Sequence, residues 1–136
     1  TGLIEITDHF GGSDAGTIMN PRAAYNQMTS FFAGLDVAIR EETVWDKWDN
    51  KVLNPNLIEY KARTFNEAPP HDHVCLESTK GRESDFPFGA MGIGEPIISP
   101  SGPAITMAVY NACGIELEEY LPAKVLAALK EKEDRA

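Results

Sequence analysis

Residues 88–96 read Phe88-Gly89-Ala90-Met91-Gly92-Ile93-Gly94-Glu95-Pro96, three glycines within six residues followed at once by a carboxylate. Glycine carries no Cβ, so a backbone of this composition can approach another group closely. The run is not a dinucleotide fingerprint, because the GxGxxG order is absent, and no P-loop lysine follows it. Taken alone it also reads as a tight turn. Glu95 is followed by Pro96, Ile97 and Ile98. Burial of this loop would strip the carboxylate of hydration and raise its proton affinity, the condition for a general base, whereas at the surface it is a solvated loop acid.

The chain on either side predicts an α+β unit. Downstream, Gly102-Pro103 opens an apolar helix over 103–113 that Gly114 closes, and Pro122 starts a last helix with Val125, Leu126 and Leu129 packing and 130–135 solvated. Upstream, the Pro69-Pro70 break precedes a strand over 73–77, and the polar, glycine-bearing residues 78–89 read as loop. Within that loop Arg82-Glu83-Ser84-Asp85 reads as a solvated turn or a substrate-access loop. At the start, Leu3-Ile4-Glu5-Ile6-Thr7 alternates like a strand and residues 11–16 read as loop. Asn20-Pro21 then caps a long amphipathic helix over 23–42, with Met28, Phe31, Phe32, Leu35 and Ile39 at spacings of three and four. Two short strands, around Val44-Trp45 and Val52-Leu53, predict a hairpin turning at Asp49-Asn50.

The 136 residues hold 12 basic and 21 acidic side chains, a net charge of −9 that disfavours nucleic acid and anionic membrane as partners. No stretch approaches 18 consecutive apolar residues. Two cysteines, Cys75 and Cys113, without CxxC spacing are too few to hold an iron–sulfur cluster, and a reducing, cytoplasmic setting is the default. Thr1-Gly2 leads straight into the strand-like segment with no initiator Met, as expected of a processed or separated piece.

Other chemistry-bearing residues carry weaker signals. His71 and His73 would share a face if their segment were a strand, but no third ligand stands nearby, and the segment reads as a solvated loop. His9 and Asp14 are close enough in sequence for a dyad. Ser13, Ser99 and Ser101 lie in no nucleophile-elbow context. Trp45 and Trp48 read as hairpin packing, and Phe31-Phe32 as core.

Several ordered blocks together resemble one family. FGAMGIGEP, the following SGPAITMAVYNACG and the later LPAKVLAAL resemble the C-terminal end of the molybdenum-binding subunit of the xanthine dehydrogenase and aldehyde oxidoreductase family, where the run reads like GAKGVGEP. Asp14-Ala15-Gly16, Asn20-Pro21, Gln27 and Glu41-Glu42 resemble the family's DxGxxINP, GQ and EE signposts, and Leu53-Asn54-Pro55-Asn56 with Tyr60-Lys61 resembles its LNPNLxxYK segment. The resemblance runs in order over nearly the whole chain.

The resemblance implies the second half of a molybdopterin-binding domain, residues 1–136 as a single unit completed by another chain, with mixed strands, one long amphipathic helix and two C-terminal helices. It implies that Glu95 is the catalytic general base in hydroxylation of an N-heterocycle or aldehyde with water as oxygen source. It implies that Gln27 lies beside the molybdopterin cofactor, that the backbone at Gly92 and Gly94 reaches the pterin, and that no side chain here ligates the metal. The expected partners are a larger molybdenum-binding chain, an iron–sulfur subunit and a flavin subunit, the last two carrying 2Fe-2S and FAD. The chain alone is expected to be inactive. Two departures stand out: Asn26 precedes Gln27 and Thr29-Ser30 follows it where the family has glycines, and Met91 replaces a common lysine. They leave open an alternative, a non-catalytic assembly subunit that keeps the fold without cofactor contact.

Overall fold

The computed structural model describes residues 1–58, 60–81 and 87–135. Glu59 and the segment 82–85, expected as a solvated turn, lie outside the described residues. Among the described residues, two parallel strands, β1 (His9–Asp14) and β2 (His71–Leu76), accompany four α-helices: α1 (Pro21–Met28), α2 (Phe31–Ile39), α3 (Ser101–Cys113) and α4 (Pro122–Asp134). Short 3-10 turns occupy Phe65–Glu67, Pro87–Gly89 and Glu95–Ile97. The mixture of helix and strand agrees with the expected α+β class. Among the described residues no helix is long and apolar enough to cross a membrane.

The contacts gather into two compact units. One comprises Thr1–Glu5, Leu35–Glu67 and Gly102–Ala136, and the other Ile6–Gly34 and Ala68–Ser101. In the first, Leu35, Ile39, Ile105, Val109, Ile115, Tyr120 and Val125 form the buried core. Ile105 and Val109 sit one turn apart on α3, which ends as predicted at Gly114, whose φ of +64° is a conformation that glycine adopts without steric cost. A buried acid, Asp36, is matched in this unit by Arg63, whose Nε donates to Oδ1 at 3.1 Å and whose backbone N–H donates to Oδ2 at 3.0 Å. In the second unit Ala15, Ala24, Met28, Phe31 and Ile97 are buried, and β1 pairs β2 in register from His9 opposite His71 to Asp14 opposite Leu76.

Four local expectations need correction. Residues 3–7 form no strand; the strand lies at His9–Asp14, within the segment expected as loop. Gly2, at φ +72°, presses on α4 so closely that a Cβ would stand 2.0 Å from the Pro122 carbonyl oxygen, so the first residues pack on a helix and find no strand partner. The single helix over 23–42 is two helices. At the break Thr29, Ser30, Phe32 and Ala33 donate to carbonyls three residues back, and the Thr29 hydroxyl donates to the Asn26 carbonyl at 2.7 Å, so a side chain competes for the ladder. The third apolar helix starts at Ser101, two residues ahead of the expected Pro103. The hairpin reduces to one antiparallel bridge, Trp45 with Val52, around a turn in which Asp46 accepts from the N–H groups of Trp48 and Asp49. Trp45 and Trp48 are exposed, so neither packs the turn.

Candidate functional site

The second unit assembles the Gly-rich run from short backbone bonds. Gly16 forms an antiparallel bridge with Ala90, the Met91 N–H donates to the Ala15 carbonyl at 2.8 Å, and the Thr17 N–H donates to the Gly89 carbonyl at 2.7 Å. The buried Thr79 hydroxyl donates to the same Gly89 oxygen at 2.6 Å. Only glycine fits at Gly16, where φ is +64° and a Cβ would lie 2.3 Å from both the Gly89 oxygen and the Thr79 hydroxyl. Residues 89–91 are thereby fastened to the chain that leaves β1. Asp14 organises the same corner by accepting from the N–H groups of Gly16 and Ser78, and hydrogen bonds from Ser78 and Gly16 hold its carboxyl below the usual range.

Gln27 reaches this run from α1. Asn20 caps that helix by accepting from the Ala23 N–H at 3.0 Å, and Pro21 occupies its first position, where a missing N–H costs nothing. From the last turn Gln27 Nε2 donates to the Ser30 hydroxyl at 3.1 Å and to the Gly94 carbonyl at 3.4 Å. A cavity of about 370 Å³ opens here, lined among others by Ala15, Thr17, Ala24, Gln27, Met91 and Gly94, with no charged side chain in its wall. Met91, which stands where the resembled family has lysine, makes one side of it apolar. A Cβ placed on Gly92 or Gly94 would meet nothing within 4 Å, so the backbone there faces open space.

Glu95 opens the 3-10 turn that follows and is exposed; the buried residue of that turn is Ile97. The immediate neighbours Gly94 and Pro96 are exposed as well, so the described residues of this chain leave the Glu95 carboxylate uncovered. Of the residues singled out in the sequence, Gln27, Gly92, Gly94 and Glu95 lie in one unit, with Gln27 joined to Gly94 directly. Glu41 and Glu42 lie in the other unit, beside a larger cavity of about 780 Å³. Two of its acids are already engaged: the Tyr60 hydroxyl donates to Glu41 at 2.7 Å, and Glu42 pairs with Lys124 at 2.7 Å.

The histidines depart most from expectation. The strand expected over 73–77 is present as β2 but starts at His71, so His71 and His73 share it in place of a solvated loop, and His9 of β1 joins them as a third imidazole. The sequence signal for this was the pair at i and i+2; what it lacked was the parallel register that sets His9 opposite His71. His9 makes no bond to Asp14; its N–H donates to Asp8 at 2.9 Å. Among the described residues no group of three His, Cys, Asp or Glu side chains is placed to hold a metal ion.

A model of the molybdopterin cofactor-binding domain family matches residues 1–69. The chain belongs to this family. The match takes in Asp14, Gln27 and the Glu41-Glu42 pair, and stops short of the Gly-rich run. Probable hypoxanthine oxidase XdhD of Escherichia coli strain K12 is 30% identical over 133 residues, an alignment covering 96% of this molybdopterin-domain chain and 14% of that protein. Aldehyde oxidoreductase molybdenum-binding subunit PaoC of the same strain is 29% identical over 121 residues, 88% of this chain and 16% of that one. The chain thus spans only 14 to 16% of the length of these curated relatives. The fold also matches the crystal structure of quinoline 2-oxidoreductase from Pseudomonas putida 86, with a TM-score of 0.74, 21% identity, and coverage of 90% of this chain and 16% of that one. The expected kinship and the expected mixed fold are both borne out.

Proposed function

We propose that this molybdopterin-domain chain forms one wall of the cofactor site of a molybdenum hydroxylase, the rest being supplied by a larger molybdenum-binding chain. The observation that carries the reading is the bond from Gln27 Nε2 to the Gly94 carbonyl, which ties the amide expected beside the cofactor to the residue preceding Glu95. The residues fit such a group: the cavity wall is uncharged, the backbone at Gly92 and Gly94 is open on its outer side, and a primary amide both donates and accepts at a heterocycle edge. When bound, the molybdenum cofactor supplies the two-electron redox chemistry of the reaction.

Gln27 would hold the cofactor edge through its amide, and the N–H groups of Gly92 and Gly94 would approach it from the run. Glu95 acts as general base, taking a proton from the water-derived oxygen that attacks the electron-poor carbon of an N-heterocycle or aldehyde. The names of the hypoxanthine oxidase and aldehyde oxidoreductase relatives support that substrate class. Overall, substrate and water yield the hydroxylated product, two protons and two electrons, and the electrons leave to 2Fe-2S and FAD on iron–sulfur and flavin subunits. Glu95 is exposed in this chain, so on this reading the larger molybdenum-binding chain covers it and encloses the reacting atoms. The chain alone is inactive on this reading, and its location is cytoplasmic, where the free thiols Cys75 and Cys113 stay reduced.

The test uses the complex that copurifies with the chain, in wild-type and Glu95→Gln forms. Molybdenum and pterin content stays unchanged and turnover of N-heterocycle or aldehyde falls by about 10²–10⁴, the usual worth of a positioned base. Unchanged turnover overturns the role of Glu95, and a complex without metal or pterin leaves the chain as an assembly subunit.

A further inference from the structure

We propose that His9 and His73, with the His71 ring beside them, form a proton-operated latch, closed when the His9 and His73 rings are neutral and opened by their protonation, that holds β1 and β2 against Phe31 and β1 against the 3-10 turn Glu95–Ile97. The geometry is a single aromatic cluster inside the second unit. Ring centroids lie 5.7 Å apart for His9 and His73 and 5.2 Å apart for His71 and His73. The Phe31 ring stacks flat on His9 at 3.7 Å with 6° between the planes, and lies 5.1 Å from His73 and 5.5 Å from His71. Phe31 is among the most completely buried side chains of the molecule, at 1% exposure. Gly11 makes the closure possible, because a Cβ there would stand 3.1 Å from carbons of both His9 and His73.

The polar atoms of this cluster are left short of partners. Among the described residues His9 Nδ1 and both ring nitrogens of His73 are buried without a hydrogen bond, whereas His71 Nδ1 lies 3.0 Å from the Pro69 carbonyl oxygen. A neutral imidazole tolerates this at a cost. A charged one needs solvation that the aromatic shell cannot give, and a second charge would sit a few ångströms from the first.

The charged and titratable surroundings point the same way. Asp8 and Asp72 stand beside His9 and His73 and favour their charged forms, accepting from the backbone N–H of each. Helix α1 brings Arg22 and Tyr25, the Tyr25 ring lying 6.0 Å from His73, and the 3-10 turn brings Glu95. The part of α2 in this unit, residues 31–34, brings no charge. Burial foremost, then His73 and His71, holds His9 below the ordinary imidazole range against Asp8; burial foremost, then His71, holds His73 below it against Asp72. A folded pKa below the unfolded one means that the unfolded state binds more protons. Stability from the closed cluster is therefore complete above about pH 6.5 and is lost as pH falls below that through the folded values. Because β1 packs on the Glu95–Ile97 turn, opening the latch loosens the segment that carries Glu95.

The experiment follows the imidazole Cε1 protons and amide hydrogen exchange by NMR on the full chain between pH 8 and 5, with exchange corrected for its intrinsic pH dependence. His9 and His73 titrate below the free imidazole, and protection of the Ile98 N–H, which donates to the Glu95 carbonyl at 2.9 Å, falls several-fold as the two rings become charged. His73→Phe keeps an aromatic ring, removes one titration and shrinks that loss; His73→Gln, the more soluble replacement, shrinks it as well. His9 and His73 titrating at or above the free imidazole, or an unchanged loss of protection in whichever variant folds, overturns the latch.

Discussion

Replacing Asp36 with alanine tests whether the buried ion pair organises the first unit. The Asp36 and Arg63 side chains are 7% and 9% exposed. Asp36 accepts from the Arg63 N–H at 3.0 Å and from Nε at 3.1 Å, with Nη2 also 3.1 Å away, and Arg40, one helical turn along, approaches at 3.5 Å. Alanine leaves the Arg63 guanidinium charged, buried and without its carboxylate, a situation that costs about 3–5 kcal/mol in proteins generally. Two features place the value near the lower end. Arg63 Nη1 keeps its bond to the Glu67 carbonyl at 2.9 Å, and Arg40 keeps Glu67 at 2.6 Å. A loss of about 3 kcal/mol lowers the melting temperature by roughly 10–15 °C for a chain of this size. Urea and thermal unfolding measure it, and a double-mutant cycle with Arg63→Met isolates the pair, with an expected coupling of about 1–3 kcal/mol. A loss under about 0.5 kcal/mol, or no coupling to Arg63, refutes the reasoning.

Gly34→Ala should destabilise the second unit by about 1–3 kcal/mol, because the new Cβ would lie 2.4 Å from the Ile98 carbonyl oxygen, a backbone atom that yields little. An unchanged urea midpoint would contradict so close an approach. Acid should weaken the first unit through Glu67, whose pKa is held down at about 2 by hydrogen bonds first from Arg40 and then from Thr64. Its folded value lies below its unfolded one of 4.5, so its contribution is present above pH 4.5 and lost as pH falls towards 2. Unfolding midpoints of Glu67→Gln should therefore vary less than wild type across that window, and an identical acid profile would remove Glu67 from the account.

Features that depend on a few neighbouring residues were legible in the sequence. Asn20-Pro21 capped α1, Gly114 ended α3, and Pro122 began α4, each because the constraint is local. The strand near the start was misplaced because alternation in residues 3–7 says nothing about where a partner lies. The true strand contains Gly11 and Gly12, poor strand formers that are tolerated because His73 and Val74 side chains occupy the space beside them. The break between α1 and α2 was hidden because Met28, Phe31, Leu35 and Ile39 keep a helical spacing across it, while the Thr29 hydroxyl decides the local hydrogen bonding. The candidate site was legible through resemblance: nothing in composition joins Gln27 to Gly94 across 67 positions. The exposure of Glu95 and the third histidine emerged only from the folded chain, since both depend on contacts distant in sequence.

The most direct test of the central claim, that this chain forms a wall of the molybdopterin site, is the pterin and molybdenum content of the copurified complex when Gln27 is replaced by leucine. Leucine keeps the bulk, removes the bonds to Ser30 and the Gly94 carbonyl, and offers the cofactor edge no amide. The Gln27→Leu complex should assemble in wild-type amounts but retain several-fold less pterin and metal, read by pterin fluorescence after oxidation and by elemental analysis. Full cofactor content in the Gln27→Leu complex, or none in the wild type, would contradict it.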